Sequence, residues 1–383
     1  MSAPPAGSPL LLGQGWSPDQ AGGLNRYFRA LLEALHHAGA APRAVVLGPA
    51  AQVPPDTVVA AASTDPLPVR LLRFWLAGGR AARGAGVLDS HFALYAFLPS
   101  LIGPGRRLPQ VVHFHGPWAA ESRHAGYGAS QLRLMAKRWM EGAVYRRADA
   151  LVVLSEAFKR TLVQGYGVDA DRVRVIPPGI DLAGFAPGDP IAARRRLGWP
   201  EDAFVAFTVR RLVPRMGLDV LMDAWARIVH DAGGGHRMLI IAGDGSEEPA
   251  LRARAQGLGL GEAVHFAGRI DDPTLIAHYQ AADVVPVPSL DLEGFGLVVL
   301  EALACGTPVL VTDAGGLPET VGDFDQSLIV PAGDASALAE RLGGAISGAC
   351  PLPPRGACRQ HAERFSWQEA ARRHGELFAS LAR

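Results

Sequence analysis

The stretch "LDLEGFGLVVLEALACGTPVL" at residues 290–310 sets two carboxylates, Glu293 and Glu301, into an otherwise apolar run. A Gly-Phe-Gly turn at residues 294–296 follows the strand-like segment "DVVPVPS" and opens a helical pattern that runs from about Leu297 to Cys305. Negative charge in such surroundings is costly unless it has a partner. The stretch therefore predicts a strand, a turn and a helix, with two carboxylates retained for a ligand.

The start of this helix predicts an anion site. The first N–H groups of a helix lack intrahelical partners, so the amides of Phe295, Gly296 and Leu297 are expected to face outward and attract a diphosphate. Glu293 and Glu301 would be repelled by the phosphate itself, but they can accept hydrogen bonds from hydroxyls on either side of it. A nucleotide sugar, with a ribose diol and a sugar flanking its diphosphate, fits this arrangement.

Length, charge and cysteine content set the broad class of the protein. The chain has 383 residues, more than a single core usually serves, so two domains are expected. Lys plus Arg and Asp plus Glu both number 37, so no excess of charge points to nucleic acid. The three cysteines lack the spacing of a disulfide framework or a zinc knuckle, and no signal peptide or transmembrane segment is recognisable. We therefore expect a cytoplasmic protein.

Strand-like runs alternate with helical patterns along the whole chain. The run "PLLLGQG" is followed by a helix with an apolar face and then by "AVVLG", and the same alternation resumes through "TPVLVTDAGG". Strands that are apolar on both faces are typical of parallel sheets covered by helices. The Pro- and Gly-rich segment "PPGIDLAGFAPGDP" at residues 177–190 predicts a linker. We expect an α/β protein with two doubly wound Rossmann-like domains facing across a cleft.

Several motifs together carry a family resemblance. "EGFGLVVLEALACGTPVL" resembles the E-x7-E motif of the retaining glycosyltransferases of family 4, which have the two-domain GT-B fold. Other segments resemble the motifs of that family and occur in its order: "PDQAGGLNRYF", "VVHFHG", "VIPPGIDLAGFAP", "RRLVPRMGLDVL", "IAGDG" and "TDAGGLPETV". The final "FSWQEAARRHGELF" is similar to the family's helix that crosses back onto the first domain. The resemblance implies an acceptor-side domain of residues 1–182 with 366–383, and a nucleotide-sugar-binding domain of residues 183–365.

The resemblance implies a reaction as well as a fold. It implies transfer of a sugar, with retention of anomeric configuration, from a nucleoside-diphosphate sugar to an acceptor hydroxyl, with no cofactor and no bound metal. A UDP-sugar is the expected donor and a GDP-sugar the second choice. The acceptor, which can be a glycan, a lipid-linked molecule or a small molecule, stays open. A nucleotide-sugar epimerase on the same fold and a degenerate nucleotide-binding protein without activity are the alternatives.

Site residues follow from the same resemblance. It implies that His115 and Glu293 hold the donor sugar, that Arg211 neutralises the diphosphate, and that these three are the catalytic residues. The implied donor-binding positions are Gly22, Gly23, Arg210, Arg215, Gly243, Phe295, Gly296, Leu297 and Glu301, with Glu301 on the ribose. Plainer roles are open to the two carboxylates, because Glu293 could cap the helix and Glu301 could face solvent.

The sequence departs from the family pattern at Met216. Many members read Gly-Arg-Leu and then, five residues past the arginine, Lys-Gly, whereas this chain has Arg210-Arg211-Leu212 and Met216-Gly217. Arg211 matches the family's phosphate-binding arginine, and Met216 replaces the lysine. Either Arg210 or Arg215 supplies the missing charge, or diphosphate binding is weaker, or the protein is a degenerate member.

Two histidines allow a competing interpretation. His113 and His115 alternate on a strand and share one face, which is also how a pair of metal ligands is presented. No further ligand is evident at suitable spacing. We therefore expect a metal-free site in which His115 is the active-site histidine and His113 is buried in the core. A metal hydrolase built on these two histidines is the alternative.

One segment of the first domain is compatible with a membrane surface. Residues 69–86, "VRLLRFWLAGGRAARGAG", place arginines beside leucines and aromatic residues. A helix of this composition can lie on an anionic membrane, which would put the protein at the inner membrane face near a lipid-linked acceptor. It can equally be an ordinary helix whose arginines extend into solvent.

Overall fold

The computed structural model describes residues 7–16, 23–49, 53–54, 56–124, 130–230 and 236–382. The chain divides into two compact units, residues 1–179 with 366–383 and residues 180–365. This division lies inside the segment predicted as a linker and three residues before the boundary predicted after residue 182. Both units have helices packed on parallel strands, which confirms the predicted α/β class.

The first unit is built on one parallel sheet. Within the described residues it has seven strands: β1 (Pro9–Leu12), β2 (Arg43–Leu47), β3 (Thr57–Ala61), β4 (Val87–Ser90), β5 (Gln110–His113), β6 (Ala150–Val153) and β7 (Val173–Val175). Their order across the sheet is β3-β2-β1-β4-β5-β6-β7. The order reverses beside β1, so the carboxyl ends of β1 and β4 form a topological switch point, where doubly wound sheets bind ligands.

Six helices of the first unit follow these strands. They are α1 (Gly23–His37), α2 (Leu67–Ala81), α3 (Ala93–Leu101), α4 (Trp118–His124), α5 (Gln131–Arg147) and α6 (Glu156–Tyr166). The predicted apolar face of α1 is confirmed, since Phe28, Leu31, Leu32 and Leu35 are buried. This stripe recurs at helical spacing and covers one face of the sheet.

In its described residues, the second unit has two three-stranded parallel sheets. The strands are β8 (Phe204–Val209), β9 (Arg237–Ala242), β10 (Val264–Gly268), β11 (Val285–Val287), β12 (Val309–Thr312) and β13 (Ile329–Val330), in the orders β10-β9-β8 and β11-β12-β13. A parallel bridge between Ala206 and Val284 joins the two sheets. The carboxyl ends of β8 and β11 therefore lie side by side, at the switch point of this unit.

The remaining helices are α7 (Pro190–Leu197), α8 (Leu218–His230), α9 (Glu248–Gly257), α10 (Asp272–Ala281), α11 (Leu297–Ala304), α12 (Leu317–Val321), α13 (Ala335–Ser347), α14 (Arg355–Ala362) and α15 (Trp367–Leu381). Helix α15 belongs to the first unit, where Trp367 packs on Tyr27 of α1 with 5.4 Å between ring centroids. Ser366 caps this helix by accepting a hydrogen bond from the amide of Glu369. In the described ranges no helix is both long enough and apolar enough to cross a bilayer.

Two short strands differ from the sequence-based prediction, which did not include them. Strand β3 lies at the edge of its sheet and is only partly buried, and β13 has two residues. Strand β13 is too short for a recognisable pattern, whereas the apolar run at residues 58–62 was not recognised as a strand.

Candidate active site

Helix α11 begins where the sequence predicts an anion site. Gly296 precedes the helix with a φ of 87°. A Cβ at this position would lie 2.6 Å from Cδ2 of Leu317, so both the backbone conformation and the packing require glycine. The Phe295 side chain is buried and packs against Phe365 at 5.7 Å between ring centroids. Any contact of Phe295, Gly296 and Leu297 with an anion therefore depends on their amide N–H groups.

Glu301 lies inside the second unit. It is 3% exposed, and its Oε2 accepts a hydrogen bond of 2.9 Å from the hydroxyl of Tyr279. This burial excludes the simpler interpretation of a solvent-facing helix residue. The ribose-binding role of Glu301 stays a prediction, and Tyr279 is a neighbour that the sequence did not reveal.

Glu293 pairs with an arginine from the neighbouring strand end. Its Oε2 accepts hydrogen bonds from Arg210 and from the Ser289 hydroxyl, the latter at 3.1 Å. Burial raises the pKa of Glu293, but the Arg210 charge and hydrogen bond outweigh burial and hold this pKa below its usual value. Glu293 does not cap α11, because Gly296 occupies the capping position. Arg210 follows β8 and Ser289 follows β11, so the switch point brings the three side chains together.

The basic residues near this carboxylate differ in exposure. Arg210 and Arg215 are 8% and 9% exposed, whereas Arg211, which the family resemblance places on the phosphate, is exposed. Nη1 of Arg215 donates to the Leu292 carbonyl at 3.2 Å. Nη2 of Arg210 lies 3.0 Å from the sulfur of Met216. A guanidinium group is therefore already present at the end of the side chain that replaces the family's lysine.

The predicted glycine positions have different surroundings. Gly243 follows β9 with a φ of 121°, and a Cβ on it would lie 1.9 Å from the carbonyl oxygen of Arg210. Glycine is thus needed there to let two strand ends approach each other beside Arg210. Gly23 is the exposed first residue of α1, and Gly22 lies outside the described residues.

A cluster of histidines lies at the carboxyl ends of β4 and β5 in the first unit. Nε2 of His115 is 3.4 Å from Nδ1 of His91. Asp89, fully buried in β4, places one carboxylate oxygen 3.4 Å from Nε2 of His91 and the other 3.1 Å from Nε2 of His113. His374 of α15 stacks on His113 with 5.2 Å between ring centroids. His113, predicted to lie in the core, is 2% exposed, which confirms that prediction.

The rings of this cluster bear on the metal-hydrolase interpretation. His91, His113 and His115 each offer one nitrogen within 4.8 Å of the other two, so a potential third ligand exists that spacing along the chain did not suggest. However, the rings of His91 and His113 stack at 3.8 Å with only 19° between their planes. An imidazole binds a metal through a lone pair in the ring plane, about 2.0–2.1 Å from the nitrogen for zinc. One ion cannot lie in both planes at that distance, so these rings do not fit a three-histidine centre.

The segment that follows His115 is anchored from α5. The buried carboxylate of Glu141 accepts hydrogen bonds from the amides of Trp118 at 2.8 Å and Ala119 at 3.4 Å, and from the Tyr166 hydroxyl at 2.9 Å. A carboxylate at the first amides of a helix satisfies donors that otherwise lack partners. Glu141 therefore fixes the start of α4 and, through it, the turn beyond His115.

Comparison with known proteins assigns the chain to a family. A family model described as glycosyl transferases group 1 matches residues 191–364, and one described as glycosyltransferase family 4 matches residues 21–183. A D-inositol 3-phosphate glycosyltransferase of Acidothermus cellulolyticus is 36% identical over 343 residues, which cover 86% of this chain and 74% of that protein. A protein of the same name from Geodermatophilus obscurus is 41% identical over 235 residues, which cover 60% of this chain but about half, 52%, of that protein.

Solved structures agree with this assignment. The sucrose-phosphate synthase of Thermosynechococcus elongatus matches with a TM-score of 0.79 and 26% identity, covering 98% of this chain and 99% of that one. HepE of Anabaena, in complex with UDP-glucose, matches with a TM-score of 0.77 over 97% of this chain and 100% of that one, and at 22% identity it supports the fold alone. The chain therefore belongs to family 4 of the retaining glycosyltransferases and is a glycosyltransferase of the GT-B fold.

Proposed function

We propose that the second unit binds a nucleoside-diphosphate sugar, with a UDP-sugar as the first candidate and a GDP-sugar as the second. The enzyme would transfer the sugar to an acceptor hydroxyl without a bound metal. The observation that carries the proposal is the pair of buried guanidinium groups of Arg210 and Arg215 beside Glu293, at the switch point of the sheet. Arginine offers phosphate a fixed fork of donors, and the start of α11 adds outward amides.

The proposed mechanism uses these groups in turn. The amides of Phe295–Leu297 and the guanidinium groups stabilise charge on the diphosphate as the glycosidic C–O bond breaks. Glu301 accepts hydrogen bonds from the ribose. The acceptor hydroxyl attacks from the face of the leaving group, which retains the anomeric configuration, and a phosphate oxygen takes its proton.

Two residues are assigned to the donor sugar. In the described part of the chain, the hydrogen bonds to the Glu293 carboxylate all involve Oε2, so Oε1 can accept from a sugar hydroxyl. The family resemblance assigns His115, which is partly exposed just beyond β5, to the donor sugar.

The comparisons support the choice of donor and suggest a first acceptor to test. HepE, which shares the fold with this chain, has been solved in complex with UDP and with UDP-glucose, so a UDP-sugar is the first donor to test. Relatives of 31–41% identity are named for D-inositol 3-phosphate, so this phosphorylated polyol heads the list of acceptors to test.

The decisive experiment is a panel of UDP-, GDP- and ADP-sugars scored for slow release of nucleoside diphosphate without an acceptor. Release from one nucleotide class, unchanged by EDTA, would support the proposal and identify the donor. Loss of release on adding EDTA would contradict the metal-free part. Interconversion of the free donor without release would favour the epimerase. A second round with D-inositol 3-phosphate and other acceptors would then follow product formation.

A further inference from the structure

The buried carboxylate of Asp89 faces two imidazoles of the histidine cluster. This carboxylate has no exposed surface, and an imidazole Nε2 faces each of its oxygens at 3.1 and 3.4 Å. Neither contact has the alignment of a full hydrogen bond. At these distances a carboxylate still repels a nitrogen lone pair and attracts an N–H, since a buried anion needs donors around it. Both His91 and His113 therefore turn an Nε2–H toward Asp89.

Burial disfavours protonation of His113 and His115 near pH 7. Burial lowers the pKa of His113 to about 4, despite the nearby Asp89 charge. Burial and the neighbouring histidines also hold the pKa of His115 well below its usual value. Other polar groups near these rings, within the described residues, include the Tyr27 hydroxyl, whose pKa burial raises, and His374, whose pKa burial lowers to about 4 with Arg373 nearby.

The positions of the hydrogens on His115 follow from those on His91. A neutral His91 that carries its hydrogen on Nε2 has a lone pair on Nδ1. Nε2 of His115 lies 3.4 Å from this Nδ1, and two lone pairs would repel each other there. His115 therefore carries its hydrogen on Nε2 as well, which leaves its own Nδ1 unprotonated.

We propose that Asp89 and His91 are positioning residues that set the tautomer of His115, so that His115 offers its ligand an acceptor nitrogen. The group that faces this nitrogen must then donate a hydrogen bond. A sugar hydroxyl can donate, whereas a carboxylate or a fluorine cannot. This second part rests on the proposed function, because it takes the ligand of His115 to be the donor sugar, but the tautomer itself does not depend on any substrate.

Nitrogen NMR of the ligand-free full-length protein tests the tautomer directly. Long-range proton–nitrogen correlation of a sample labelled with ¹⁵N-histidine distinguishes the two neutral tautomers and the cation, and His91→Gln and His115→Gln spectra assign the two rings. We expect both rings to be neutral, with the hydrogen on Nε2. A cationic His91, or a hydrogen on Nδ1 of His115, would overturn the proposal.

Two substitutions test whether the tautomers are coupled. Asp89→Asn presents one acceptor and one donor to two imidazoles, so at least one of His91 and His113 must change tautomer. We expect His115 to change whenever His91 does and to stay unchanged when His113 alone switches. Opposite behaviour of His91 and His115 would refute the coupling. If Asp89→Asn does not fold, His91→Phe keeps a ring but removes the acceptor, and the two His115 nitrogen shifts should move toward each other.

His374→Phe is the matched control, because it alters a buried ring that stacks on the cluster but lies outside the contacts from Asp89 through His91 to His115. We expect it to leave the His115 tautomer unchanged. A mixture of His115 tautomers in this variant would show that general packing sets the tautomer, and would contradict the proposal.

The ligand requirement needs a separate measurement, made with whichever nucleotide sugar supports turnover. Analogues with hydrogen or fluorine in place of each hydroxyl remote from the anomeric carbon are compared for binding to the wild type and to His115→Ala. At one position, fluorine should weaken binding by about tenfold, at least as much as hydrogen does, and only in the wild type. If fluorine is tolerated at every position while the tautomer is as expected, the assignment of His115 to the sugar fails. The proposal that Asp89 and His91 set the His115 tautomer is then unaffected.

Discussion

The guanidinium group of Arg210 lies 3.0 Å from the sulfur of Met216. Glycine precedes the phosphate-binding arginine in many family members and lysine follows it five residues later, and this chain differs at both positions. The two positions that differ from the family pattern are therefore in contact. The guanidinium of Arg210 lies at the end of the Met216 side chain, which replaces the family's lysine. The Glu293 carboxylate and the Ser289 hydroxyl hold this cation in place.

This relationship predicts the behaviour of Met216→Lys. The new ammonium group would meet the Arg210 guanidinium, so UDP binding should stay level or weaken, as measured by calorimetry. Arg210→Gly alone should weaken binding by about 2–4 kcal/mol, and the double variant Arg210→Gly with Met216→Lys should recover part of the loss. Arg196→Ala, which removes an exposed arginine of α7, is the control and should leave UDP binding unchanged. Tighter binding by Met216→Lys alone would show that the site is short of positive charge.

Glu301→Gln tests the ribose role. The substitution keeps the shape of the side chain but removes a charged acceptor, so donor affinity should fall by about 1–3 kcal/mol with the fold intact. Tyr279→Phe, which deletes the hydroxyl that donates to Glu301, is a useful comparison because it leaves the carboxylate in place. Unchanged nucleoside diphosphate affinity in Glu301→Gln would rule out the ribose contact.

His115→Ala tests the assignment of this residue to the sugar. Turnover should fall by roughly 10²-fold or more, while free UDP binds as before. The two quantities are measured on one preparation by product release and by calorimetry. A matching loss of UDP affinity would place His115 at the nucleotide instead.

Stability should fall as the solution is acidified below pH 6.5. Burial lowers the pKa of both His113 and His374 from 6.5 to about 4, so the unfolded chain binds protons in this window that the folded chain does not. The contribution of each neutral histidine to the free energy of unfolding is complete above pH 6.5 and declines toward pH 4. At pH 4.5 this free energy is lower by about 2–3 kcal/mol for each histidine. The pKa of Asp89 is also lowered, and its contribution is lost only at more acidic pH, below about 3.8.

Urea denaturation at pH 7.5 and pH 4.5 measures this effect. His374→Phe should show a smaller difference between the two pH values than the wild type, because one of the two histidines is gone. His37→Ala removes an exposed histidine and should leave the difference unchanged. If the free energy of unfolding of His374→Phe differs between the two pH values as much as that of the wild type, His374 does not contribute to the pH dependence of stability.

A peripheral membrane contact has two possible faces on the first unit. The sequence pointed to α2, where Leu67, Leu72 and Leu76 are 42%, 53% and 43% exposed. Helix α5 presents a more exposed stripe at residues 132, 135 and 139, where Leu132, Met135 and Trp139 are 78%, 66% and 62% exposed beside basic residues. We expect serine substitutions at these three positions to reduce binding to anionic vesicles more than Leu72→Ser with Leu76→Ser. Equal binding by all variants would argue against both faces.

The sequence predicted the fold better than it predicted the contacts within the site. Apolar runs and helical periodicity identified the main strands, and the glycine turn at residues 294–296 located the start of α11. The pairing of Arg210 with Glu293 joins residues far apart in the chain, and only the adjacency of β8 and β11 brings them together. The approach of His91 to His115 likewise depends on the pairing of β4 with β5. Such contacts follow from strand order, which local pattern does not specify.

Helix α15 has a consequence for how the protein is made. Its Trp367 and His374 pack on Tyr27 and His113 of the first unit. The first unit therefore cannot complete this packing until residue 374 has left the ribosome. Residues 180–365, by contrast, form a continuous segment with its own core. The unit synthesised first must therefore wait for the whole of the second before it can complete its packing, which reverses the usual order of folding during translation.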